Sequence, residues 1–145
     1  MNLSPHFTLA ELVESQTATR KNIDNTPAPP VIANLTRIAA LLEQVRALVG
    51  APLTVSSGYR SPALNRAIGG AANSAHMLGL AADISTAKLA PRALAQLIQK
   101  SGIVFDQLIY EGTWVHIGLS TGAPRKQVLT ARFGAGGTTY VTGIA

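Results

Sequence analysis

Ser74-Ala75-His76-Met77-Leu78-Gly79-Leu80-Ala81-Ala82-Asp83 places a histidine and an aspartate on either side of a glycine. Gly79 lets the backbone turn, and the strand expected over Ala81–Ser85 then presents Asp83 on the same face as small Ala81. The stretch Trp114-Val115-His116-Ile117-Gly118-Leu119 carries the matching half of the pattern. Alternation sends Val115, Ile117 and Leu119 to one face, fit for a core, and Trp114, His116 and Gly118 to the other. Gly118 leaves room beside His116. The chain has only three histidines and no cysteine, so any metal must be held by imidazoles and carboxylates. His76, Asp83 and His116 are the expected metal ligands, a set that suits a catalytic zinc with an open fourth position for water. His6 reads as structural, beside a Phe7 that staples the first helix.

Working outward, Phe105 to Tyr110 and Trp114 to Leu119 flank Glu111-Gly112-Thr113 as two strands of a β-hairpin. With Gly112-Thr113 as the turn, Glu111 faces Trp114 and Ile109 faces His116, so Glu111 is a diagonal neighbour of His116. A Glu side chain there can reach a water on the metal and act as general base; a solvated turn residue is the plainer reading. Asp106 is the alternative base, but its alternation phase puts it on the opposite face. Arg60, in Ser57-Gly58-Tyr59-Arg60-Ser61-Pro62, offers a fixed cation for a carboxylate or an oxyanion, or else braces its loop. Trp114 either lines a substrate groove or covers the edge of the core.

The remaining elements make an α+β domain with a small antiparallel sheet, helices packed on one side and the site on the open face. Thr8-Leu9-Ala10-Glu11 fits a capping box for a helix near Leu9 to Glu14. The prolines of Asn25-Thr26-Pro27-Ala28-Pro29-Pro30 predict an extended connection. Val31, Leu35, Ile38, Leu42, Val45 and Val49 recur at helical spacing up to a stop at Gly50. Leu53 to Ser56 reads as a strand, Ala63 to Ile68 as a short helix ended by Gly69-Gly70, and Pro91 to Lys100 as a helix with proline in its first turn. Gln127 to Thr130 and Thr138 to Thr142 add another hairpin around Gly134 to Gly137.

With 145 residues, 47% of them hydrophobic and 13% charged, the chain is expected to form one globular domain spanning 1–145. Its N-terminus lacks the basic start and apolar run of a signal peptide, and no stretch approaches a membrane span, so synthesis in the cytoplasm is expected. A net charge of +5 suits an anionic polymer. The positives are scattered, with only Arg125-Lys126 adjacent, which argues against dedicated nucleic-acid binding.

At these residues the sequence resembles the M15 peptidases, the D-alanyl-D-alanine carboxypeptidase and phage endolysin group that shares its fold with the hedgehog signalling domain. The resemblance rests on Ser74, His76 and Asp83, on the preceding loop Ser57 to Pro62 and on the Trp114-Val115-His116 strand. His6 to Leu12 and Ile23 to Pro27 also look like small phage and prophage members. It implies a hedgehog/D-Ala-D-Ala-peptidase-like fold and zinc-dependent hydrolysis of an amide bond in a peptidoglycan stem peptide or cross-link, with Arg60 and Ser74 meeting the substrate. It also implies action on the bacterial cell wall after membrane permeabilisation, by a monomer with no nucleic-acid partner. Many M15 enzymes place the catalytic carboxylate three residues before the last histidine, where this chain has Thr113. A non-catalytic, zinc-stabilised wall-binding module is the alternative.

Overall fold

Pro29 and Pro30 occupy the first turn of the longest helix rather than the end of an extended connection. In the computed structural model, which describes residues 1–144, α3 runs Pro29–Val49. The first turn has no intrahelical acceptors for its N–H groups, so prolines cost nothing there and their fixed φ suits the helix. Before it come β1 (Asn2–Ser4) and β2 (Phe7–Thr8), a two-stranded sheet, then α1 (Leu9–Val13) and α2 (Gln16–Arg20). The Thr8 hydroxyl accepts from Glu11 N–H at 3.1 Å, as the capping box predicts. α2 is not foreshadowed by any apolar period; Ser15 caps it, accepting from Ala18 N–H at 3.2 Å. His6 is structural as expected, its ring 2.8 Å from Glu43 on α3.

After the left-handed Gly50, whose N–H donates to the Arg46 carbonyl, come β3 (Thr54–Ser57), α4 (Pro62–Ala67), a 3₁₀ turn (Ala75–Leu78), β4 (Ala81–Ser85) and α5 (Pro91–Lys100). Then follow β5 (Gln107–Tyr110), β6 (Val115–Gly118), β7 (Gln127–Gly134) and β8 (Gly137–Thr142). Six strands form one sheet in the order β3-β4-β6-β5-β7-β8. All neighbours are antiparallel except β5 and β7, which run parallel because the chain leaving β6 crosses β5 before pairing. The two hairpins, β5–β6 and β7–β8, stand where the glycines predict them.

The sheet has two unlike faces. Ala82, Ile84, Leu108, Val115 and Ile117 join Leu35, Ile38, Leu42, Leu94 and Ile98 of α3 and α5 in the core. The other face carries one cross-strand row, Ser57–Asp83–His116–Ile109–Leu129–Thr142. A bulge between Val55 and Ser57 lets Val55 pair with core-facing Ile84 while Ser57 pairs with Asp83.

Asp106 anchors the start of β7. Its carboxylate accepts from Arg125 Nε (3.2 Å), Nη2 (2.8 Å) and backbone N–H (2.9 Å), and its carbonyl accepts from Gln127 N–H at 2.9 Å. Asp106 is buried, whereas the Arg125 side chain stays in solvent. The Arg125 side-chain bond, against a smaller opposing effect of burial, holds the Asp106 carboxyl below its ordinary range. Asp106→Ala is expected to lower unfolding stability by about 2 kcal/mol at neutral pH, the size of a charged hydrogen-bond loss. Because the folded pKa is depressed, the contribution is full above the unfolded value near ~4 and fades as pH falls through the folded one. Denaturant melts of both proteins at pH 7 and pH 3 check this: the gap should narrow at the lower pH.

Candidate metal centre

His76 sits in the 3₁₀ turn, whose cap is Ser74: the Ser74 hydroxyl accepts from His76 N–H at 3.2 Å. The turn ends at Gly79 with φ +73°, where a Cβ would lie 2.8 Å from the Val31 carbonyl oxygen, so only glycine fits there. His76 Nδ1 is 2.7 Å from the Gly58 carbonyl oxygen. A carbonyl can only accept, so Nδ1 carries the proton and Nε2 is left with its lone pair. Nε2 is buried without a hydrogen-bond partner among the described residues and lies 3.3 Å from Asp83 Oδ1.

His116 approaches from β6, its register partner Asp83 from β4, and His116 Nδ1 is 3.1 Å from the same Oδ1. Donor atoms of the three residues all fall within 4.8 Å of one another, and all three residues are buried. Two ligands of a tetrahedral zinc, each about 2.1 Å from the ion, stand about 3.4 Å apart, close to these separations. The unpaired Nε2, the spacing and the two-imidazole, one-carboxylate chemistry all fit zinc. Burial opposes the charge on Asp83, but the His116 and His76 imidazoles beside it outweigh this and hold the carboxyl below its ordinary range.

These residues line a cleft of about 700 Å³ together with Arg60, Ser74, Glu111 and Trp114. Glu111 N–H donates to the Trp114 carbonyl at 3.0 Å, the register expected from a Gly112-Thr113 turn, and Trp114 Nε1–H donates to Glu111 Oε2 at 2.9 Å. Trp114 thus holds Glu111 as well as walling the cleft. Burial pushes the Glu111 carboxyl up, Asp83 adds to this, and His116 and the Trp114 bond oppose it. Asp106, bound to Arg125, is not a free carboxylate beside the metal donors.

Arg60 is tied down by its backbone N–H to the His76 carbonyl at 3.1 Å, while its Nε is buried without a partner among the described residues. Burial pulls the guanidinium down, and Asp83 and Glu111 counter it. Two supports lie in stretches that carry the family resemblance, but their roles were not legible there. Gly58 acts through its carbonyl, and Asn25 acts as a brace: its Nδ2 donates to the Val13 and Tyr59 carbonyls and its Oδ1 accepts from Ser61 N–H at 2.7 Å. Tyr140 and Leu129 of the last hairpin also line the cleft. The hairpin was legible, but its place beside the site was not.

The profile of the peptidase M15 family matches residues 5–118, a span that contains the triad, Arg60 and Glu111. The chain belongs to the M15 peptidase family. It is 42% identical over 61 residues to the zinc D-Ala-D-Ala carboxypeptidase of Streptomyces albus G; those residues are 42% of this chain and 23% of that protein. The chain therefore matches under a quarter of this relative's length. The α+β fold with its antiparallel pairs and one-sided helices is that of an M15 peptidase, and zinc is the metal that family and donor set agree on.

Gly58 has no room for a side chain, since a Cβ would stand 2.2 Å from the Leu12 carbonyl oxygen. Gly58→Ala must move the carbonyl that orients His76, and loss of such an outer partner typically costs 10–100-fold in metal affinity. Competition with a chromophoric chelator should show zinc held at least tenfold more weakly, with one equivalent still bound at saturation.

Proposed function

We propose that this chain is a zinc-dependent peptidoglycan peptidase that hydrolyses an amide bond of the stem peptide or cross-link, with His76, Asp83 and His116 as the metal ligands. The observation that carries the reading is the combination, in one cleft, of a metal-donor triad with a guanidinium whose buried Nε has no partner among the described residues and a carboxyl raised by burial. When bound, zinc supplies a Lewis acid that polarises a carbonyl and makes a water easier to deprotonate. Glu111, aimed by the Trp114 indole, takes the proton from the attacking water and returns it to the leaving amine. Arg60 meets either a substrate carboxylate or the negative charge that develops on the carbonyl oxygen. Ser74 and Trp114 complete the substrate contacts.

The net charge of +5 favours the anionic wall as the place of action, and the likeness to small phage members favours an endolysin-like role. Among the described residues no helix is long and apolar enough to cross a membrane. Glu111 is what separates this reading from a zinc-stabilised module that only binds the wall.

Incubation with defined peptidoglycan, followed by mass spectrometry of the released fragments, identifies the bond by its new termini. Chelation should stop release and zinc restore it. Glu111→Gln should lower kcat by about 10²–10⁴-fold with zinc content unchanged. Because Glu111 must be ionised to act as a base, activity should fall on acidification as its carboxyl takes up a proton. An active Glu111→Gln protein would sink the assignment of Glu111 as the base, and no new amine from any wall preparation would sink the peptidase reading.

A further inference from the structure

The family match ends at residue 118, but the cleft does not end with it. β7 pairs with β5 through Ile109–Leu129 and Tyr110–Thr130, and one further step along the ladder brings Ala131 level with Glu111. Ala131 in turn faces Tyr140 on β8. Directly paired residues share a face, so Glu111, Ala131 and Tyr140 form a row on the side of the sheet that carries Asp83 and His116. Ala131 offers only a methyl group, which leaves space for the phenol to lean across it toward the carboxylate.

Tyr140 lines the cleft, is 52% exposed, and its hydroxyl bonds to no other described residue. Burial and then the charge of Glu111 push the phenol above its ordinary pKa, so it is a protonated donor at neutral pH. The hairpin that carries it is fixed at its base by the Asp106–Arg125 pair and by Gln107 Nε2 donating to Gln127 Oε1 at 2.8 Å.

We propose that the β7–β8 hairpin is a wall of the reaction cleft and that the Tyr140 hydroxyl donates a hydrogen bond to the backbone of the bound peptide on the Glu111 side. This rests on the peptidase reading above. Tyr140 is a substrate-positioning contact: it holds the peptide before reaction, so its loss acts mainly through KM.

The test uses the zinc-loaded full chain. Tyr140→Phe keeps the ring and should raise KM for a defined stem peptide three- to tenfold, the range for a neutral hydrogen bond, with kcat within about twofold. Thr139→Val, on the opposite face of β8, should leave both constants unchanged. Calorimetric binding of the same peptide to Glu111→Gln, with and without Tyr140→Phe, gives a readout that does not need turnover: the double variant should bind three- to tenfold more weakly. If the unsubstituted protein cleaves nothing yet the Tyr140-dependent difference in binding persists, the peptidase reading fails and this contact stands. If Tyr140→Phe and Tyr140→Ala both bind and turn over within twofold of their parents, the contact is refuted.

Discussion

The 2.7 Å hydrogen bond from His76 Nδ1 to the Gly58 carbonyl is the interaction on which the centre depends. It joins the loop after β3 to the 3₁₀ turn before β4, and it fixes the tautomer that leaves Nε2 facing Asp83. It exists because Gly58 can press against α1: Tyr59 N–H reaches the Leu12 carbonyl at 2.8 Å, and any Cβ at position 58 would strike the same oxygen. Packing of an N-terminal helix thereby decides which nitrogen of a distant imidazole is available. The link from sequence to chemistry runs through a residue with no side chain.

Charge in the cleft follows from the same arrangement. Asp83 and Glu111 are negative and Arg60 is positive, while Asp106 is neutralised by Arg125. Without a cation at the triad, Asp83 and Glu111 repel each other, which adds to burial in raising the Glu111 carboxyl. A dication together with Arg60 outweighs both carboxylates. The loaded cleft would then attract a carboxylate or an oxyanion.

Short-range features were legible in the sequence and long-range ones were not. Alternation in Trp114–Leu119 placed His116 on the open face, and the Gly112-Thr113 turn fixed Ile109 opposite His116, since both depend only on neighbours along the chain. Pro29 and Pro30 were misread as extended because a proline pair serves equally well in a helix's first turn. α2 lacks an apolar stripe, with Ala18 its single buried residue, and so left no period to detect. The parallel β5–β7 pair joins strands separated by a whole hairpin arm and a crossing loop, and nothing local specifies it. Asn25 and Gly58 act on backbone groups of other segments, contacts that residue type does not encode.

The distribution of satisfied and unsatisfied polar atoms separates scaffold from working surface. Asn25 commits both ends of its amide to Val13, Tyr59 and Ser61, and Ser61 in turn caps α4 at Leu64 N–H, so the backbone on both sides of Arg60 is held. The guanidinium at the centre of this bracing has a buried Nε with no partner among the described residues, as has His76 Nε2. Leaving buried polar groups unpaired destabilises a fold, typically by 1–3 kcal/mol each, when a small repacking would have paired them. A loop braced so thoroughly around an unpaired cation is preorganised for something that arrives from outside, and the cost in stability is offset because neither group must reorganise when it does.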